Sequence, residues 1–173
     1  KVLTITNTVN PSIKYQNKGE YRIIKRDRNT QYTFTGINTN ISSYDISQTV
    51  MNISSWKDHI KGIESSSLTK SVDDKIYGNI KLSKPKFSAN VILSNYTIDD
   101  VNLNCIKLEL DKQSTNIILK DLSAIWCIEY VNDNRSHVNI TSTAVINRFI
   151  PYYIIDYLSN KGLKYVTEWL KYS

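Results

Sequence analysis

The chain has 173 residues, 40% hydrophobic and 22% charged, with 5 Gly, 3 Pro and a net charge of +6. That length predicts a single domain over residues 1–173, large enough to bury a core without staples. The apolar runs are too short for a transmembrane helix, Gly and Pro too scarce for a collagen-like or linker-rich chain, and Ile, Leu and Val too abundant for a disordered one.

Val2–Val9 and Gly19–Arg26 alternate weakly and predict strands, the second carrying Tyr21, Ile23 and Ile24. Thr30–Asn38 predicts a clearer strand, with Tyr32, Phe34 and Gly36 on one face and a turn at Asp27-Arg28-Asn29 before it. The period then changes. Ser43–Asn52 predicts a helix that Ser43 or Asp45 can cap, with Ile46, Thr49 and Val50 at helical spacing. Ser55–Ile60 predicts a short helical turn capped by Ser55. From Lys75 on, alternation dominates. Ile76, Gly78, Ile80 and Leu82 share one face of a strand that stops before Pro85. Phe87, Ala89, Val91 and Leu93 share a face of the next, and Ile106, Leu108 and Leu110 a face of Asn102–Asp111. A further strand begins at Ile117–Leu119, bends near Asp121 or Ser123, and resumes with Trp126, Ile128 and Tyr130. Asn132-Asp133-Asn134 is a turn signal, and Val138, Ile140, Ser142, Ala144 and Ile146 form one face of the last long strand. Strands joined by short turns predict an antiparallel meander, with one face packed inward and one meeting water. Pro151 opens a final amphipathic helix of about five to six turns, with Ile154, Ile155, Leu158, Val166, Trp169 and Leu170 at helical intervals. Gly162 sits in its middle, at a cost of roughly 1 kcal/mol against Ala. A kink, a bulky neighbour or drift would each account for it.

The chemistry-bearing residues are few. Cys105 and Cys127 fall on the more polar faces of neighbouring antiparallel strands, where two sulfurs can meet the distance a disulfide needs. A pairing implies an oxidising compartment, periplasmic or secreted, and two reduced thiols imply the cytoplasm. His59 and His137 lie at no metal-ligand spacing from the cysteines, so neither a metal nor a cofactor is expected. No phosphate loop, nucleophile elbow or HExxH motif is present, and no catalytic residue is assigned. Asp73-Asp74 and Asp99-Asp100 fall at strand ends and read as turn residues rather than a catalytic pair. The basic residues are spread along the chain, which argues against nucleic acid and leaves at most transient contact with an anionic membrane. Five Asn-x-Ser/Thr triplets, at Asn40, Asn52, Asn95, Asn134 and Asn139, carry little weight in so Asn-rich a chain.

A strand region, two short helices, a long antiparallel meander and one long C-terminal helix make a helix-grip order. Four segments carry a resemblance: Ser43–Gly62 with Trp56; Lys75–Phe87 (KIYGNIKLSKPKF); Ser123–Ile146 with its Trp-Cys-Ile-Glu-Tyr centre; and Pro151–Leu170 (PYYIIDYLSNKGLKYVTEWL). In their order and spacing they resemble the START-like, polyketide-cyclase-like (SRPBCC) superfamily of ligand-binding proteins. The resemblance implies an α+β fold, with a curved antiparallel sheet wrapped round the C-terminal helix and a cavity between them for a hydrophobic ligand, often a lipid or sterol.

The physics agrees, because a curved sheet and one helix leave an apolar space too wide for side chains alone. By strand parity and helical spacing its lining candidates are Phe34, Phe87, Val91, Ile106, Leu108, Trp126, Ile128, Ile140, Ile154, Leu158, Gly162 and Trp169. Trp56 either lids the mouth or plugs its short helix into the core. Tyr32, Tyr130, Ser142 and Arg148 are the inward polar candidates, a set better suited to orienting a head group than to chemistry. The chain therefore reads as a monomer that binds, and transfers, a hydrophobic small molecule or lipid. A cyclase- or hydrolase-type enzyme on the same fold is the first alternative, and a protein–protein adaptor with a filled cavity is the second.

Overall fold

The computed structural model describes residues 19–84, 86–96, 103–114 and 117–172. The expected strand Val2–Val9 and the Asp99-Asp100 pair lie outside the described residues. Eight strands form one antiparallel sheet: β1 (Tyr21–Asp27), β2 (Thr30–Thr39), β3 (Ile63–Val72), β4 (Lys75–Ser83), β5 (Lys86–Tyr96), β6 (Leu103–Leu110), β7 (Leu119–Asn132) and β8 (Arg135–Ile146). Their spatial order is β1-β2-β8-β7-β6-β5-β4-β3. After the β1–β2 hairpin the chain crosses through α1 (Ser43–Met51), a 3-10 turn (Ile53–Ser55) and α2 (Trp56–His59) to the far edge. The meander then returns to close β8 against β2, and α3 (Tyr152–Tyr172) follows. This is the expected α+β order, with a curved sheet and a long C-terminal helix.

The sequence expectations fail at β3. Residues Ile63–Val72 (IESSSLTKSV) form an edge strand paired only with β4. Beyond Ser66 the strand is exposed, so neither face is apolar and no alternation announces it. A polar edge also resists pairing with another chain. Ser66 is its buried exception: its hydroxyl accepts from the Lys57 backbone N–H (3.1 Å) and donates to the Ser54 carbonyl (3.3 Å). It thereby satisfies the start of α2 from the neighbouring strand β3. Ser55 does not, because its backbone is already helical and its hydroxyl turns back to the Asn52 carbonyl (2.8 Å). At α1 the cap is Ser42 rather than Ser43 or Asp45. Ser42 has the extended backbone a cap needs, and its hydroxyl accepts from the Asp45 N–H (3.1 Å). Asp73 and Asp74 do form a turn, between β3 and β4, both with positive φ.

Cross-strand partners point to the same side of a sheet, so the register assigns faces. Cys105 opposes Cys127 on the outer face, and their sulfurs are joined as a disulfide with Cα atoms 4.1 Å apart. Asn139 is on the same face, buried, and accepts from the Tyr21 hydroxyl, which leaves no room for a glycan there. Burial pushes the Tyr21 phenol up to about 12.

On the inner face two helices share the sheet. Helix α1 packs on β6, β7 and β8. There Ile46, Val50 and Ile53 join Ile106, Ile128 and Val138 in one core in which each is at most 2% exposed. The Asn104 amide, opposite Ile128, donates to the Ser47 hydroxyl of α1 (2.7 Å). Helix α3 lies over β2 and is braced to β1 by polar contacts. Arg26 grips both oxygens of Asp156 (2.8 and 2.9 Å), and Arg22 reaches the Asn160 side chain (2.9 Å). At the helix end Lys171 pairs with Glu20, and Thr39 donates to the Leu170 carbonyl.

Candidate functional site

The braces to β1 leave the opposite flank of α3 turned toward β4–β7. Between that flank and the sheet lies a cavity of about 410 Å³. Its floor follows from the register. Leu82 opposes Phe87, Ile80 opposes Ala89, Leu108 opposes Ala124 and Trp126 opposes Ile140, so all eight residues face the same side, and all border the void. Leu158, Leu163, Val166 and Trp169 of α3 form the roof. Val50, Trp56, Ile60 and Ile63 close one end. Trp56 is buried, and its indole N–H donates to the Thr49 and Val50 carbonyls (3.2 and 3.1 Å). It is thus both a plug and a wall. Trp126 and Trp169 meet across the cavity, ring centres 6.0 Å apart.

Gly162 also borders the void, within an uninterrupted α3. A Cβ placed there meets nothing within 4 Å. The glycine therefore accommodates no bulky neighbour; it is exposed and stands at the cavity's open border. Gly62, with φ +93°, works differently: a Cβ there would stand 2.5 Å from the Tyr165 ring, which seats on the glycine at the cavity's edge.

The polar residues of the wall gather at this edge: Lys61 and Gly62 in the α2–β3 connection, Ser83 and Lys84 at the β4–β5 turn, and Lys161 and Tyr165 on α3. Lys61 and Lys84 are exposed, so this edge is where the cavity meets water. Lys161 donates to the Tyr157 hydroxyl (2.7 Å), which raises its ammonium pKa. Its Nζ stands 5.0 and 5.8 Å from the Tyr157 and Tyr165 ring centres. No Asp, Glu or His borders the cavity among the described residues. Nor does any group of three or more His, Cys, Asp and Glu approach closely enough there to hold a metal ion.

The structure brings Trp56, Phe87, Val91, Leu108, Trp126, Ile140, Leu158, Gly162 and Trp169 to the cavity wall. Phe34, Ile106, Ile128 and Ile154 do not border it. Phe34 opposes Thr141, while its neighbour Thr35 opposes Ile140, so Phe34 is buried on the outer face. The inner side of β2 is instead Gln31, Thr33, Thr35 and Ile37, and choosing the face by its aromatic residues inverted it. Ile106 and Ile128 fill the core where α1 packs, and Ile154 precedes the stretch of α3 that roofs the void.

None of the polar candidates reaches the wall either. Tyr32 shares the outer face with Phe34. Tyr130 lies near the β7–β8 turn, 55% exposed, donating to Asp133. Ser142 is bonded to Thr33, and Arg148 is exposed over the Phe149 ring. The lysine rim escaped the sequence reading because residues 61, 84 and 161 are far apart in the chain and only the topology unites them.

No protein-family model matches the chain, and no curated protein matches it in sequence. Solved structures match its shape. A STAR-related lipid transfer protein from Xanthomonas axonopodis aligns with a TM-score of 0.62 at 10% identity, over 86% of this chain and 98% of that one. The Zhui aromatase/cyclase from Streptomyces sp. R1128 aligns at 0.68 and 7% identity, over 82% and 91%. Human STARD10 aligns at 0.62 and 10% identity, over 98% and 80%. The chain therefore has the START-like helix-grip fold, shared by proteins named for lipid transfer and by aromatase/cyclases.

Proposed function

We propose that this START-like helix-grip protein binds a lipid or sterol-like molecule between its sheet and α3 and carries it between membranes as a monomer. The observation that carries this reading is the cavity of about 410 Å³ with its almost wholly apolar wall. That volume is within the range of small-molecule sites, and each Å² of apolar surface removed from water contributes about 25 cal/mol. The lining residues named above, from Trp56 to Trp169, are the proposed ligand contacts. An enzyme on this fold would need an acid–base group inside, and the described wall offers only lysines, a serine and a tyrosine at its edge. An adaptor would fill the space with its own side chains.

Contact with an anionic membrane is supported by Phe149 and Tyr153, 77% and 73% exposed at the start of α3, beside the exposed Arg148. The Cys105–Cys127 disulfide supports an oxidising compartment. Native mass spectrometry of protein purified from its source tests the central reading. A co-purifying lipid is expected; a clean apo mass, with no uptake of lipid from vesicles, contradicts it.

A further inference from the structure

The rim carries an unbalanced charge. Three lysines, Lys61, Lys84 and Lys161, border the cavity with no carboxylate among the described wall residues. Four lysines elsewhere among the described residues are paired, Lys107 with Glu109, Lys112 with Asp121, Lys164 with Glu168 and Lys171 with Glu20, while others there stand alone on the surface. The rim lysines form no such ion pair among the described residues. They come from three separate elements, and each reaches the same opening. Lys161 is positioned rather than loose, held by the Tyr157 hydroxyl and flanked by two rings. Ser83 and Tyr165 border the same cavity and carry neutral hydroxyls. Behind the rim the walls are hydrocarbon and aromatic. A site that is cationic at its mouth and apolar within is complementary to one kind of molecule, an acyl chain ending in an anion.

We propose that the guest is an amphiphile with an anionic head, a carboxylate or a phosphate, seated chain-inward with its head at Lys61, Lys84 and Lys161. This rests on the reading of the cavity as a hydrophobic ligand site and names the ligand's class. A neutral sterol or alcohol fits the walls equally well but leaves the lysines unused.

The test compares three ligands of one chain length, hexadecanoate, hexadecyl phosphate and hexadecanol, by calorimetry at low salt and pH 8. The expected result is that the anions bind about tenfold more tightly than the alcohol, the order of several partly exposed ion pairs acting together. The preference should shrink as salt rises. In the Lys61→Gln/Lys84→Gln/Lys161→Gln variant, with unchanged circular dichroism, it should disappear, the anions losing about tenfold and converging on hexadecanol. Either anion at the top of the order supports the proposal, and their ranking identifies the head. Equal binding of all three ligands by the wild type overturns it and leaves the cavity reading standing. So does an anion preference that survives in the triple variant. Failure of all three to bind overturns both.

Discussion

The inner face of one sheet is covered in two ways. Under α1 the space is solid: Ile46 shares one core with Ile106, Ile128 and Val138, all almost without exposure. Under α3 the same sheet leaves a void of about 410 Å³. The difference lies in the side chains each helix supplies. α1 turns β-branched residues inward. α3 turns much of its bulk outward, with Tyr152, Tyr153 and Tyr157 about half exposed or more, and has no side chain at Gly162 on the cavity's open border. The polar braces from Arg22 and Arg26 hold α3 from the β1 side, so its seating does not depend on filling the cavity. One half of the molecule is thus built for stability, and the other spends packing to keep space.

The sharpest way to break this comparison is to truncate one residue in each half. Ile128→Ala, in the filled half, should cost about 2–5 kcal/mol in urea unfolding. Leu158→Ala, on the wall of the void, should cost under about 1.5 kcal/mol, because its side chain already lacks neighbours on one side. Equal losses would mean that the two halves are packed alike. The disulfide comes next. Cys105 and Cys127 are 22 residues apart, and replacing both with Ser should cost about 3 kcal/mol. Because the pair is on the outer face, lipid uptake by the still-folded variant should not change; a loss of uptake would tie the disulfide to the cavity.

The smallest effect belongs to neither half. The Tyr21 phenol on the outer face is pushed from its usual 10 up to about 12, so its protonated form is favoured in the fold. Its contribution is complete below pH 10 and lost as pH rises from 10 through 12. In Tyr21→Phe that segment of the alkaline stability profile should flatten; an unchanged slope would assign it to other groups.

Much of this architecture was legible in the chain because period reports burial. The strands β4 to β8 each have one apolar face, and α3 repeats its apolar residues at helical spacing. Even the bend near Asp121 appears, as a register shift between Leu119 and Asp121. β3 left no such trace, since an edge strand that buries little needs no alternation. Phe34 misled because an aromatic residue on β2 is buried on the outer face, while threonines point inward. The cavity wall was legible in part: Phe87, Val91, Leu108, Trp126, Ile140, Leu158 and Trp169 were on the expected faces, but Ile63, Leu119, Leu122 and Leu163 also line it and were not singled out. The rim was not, because a lone lysine on a loop looks the same whether it faces open water or a cavity mouth.

Whether the space under α3 is kept for a guest is decided by Gly162→Trp. Gly162 is exposed at the cavity's open border and an added Cβ there meets nothing within 4 Å, so an indole has room to cover the mouth without displacing the walls. Circular dichroism and unfolding like the wild type are expected, with hexadecanol binding weakened by at least about tenfold, the loss of about 1.4 kcal/mol or more of buried contact. A folded Gly162→Trp protein that binds hexadecanol as tightly as the wild type would contradict that use of the space.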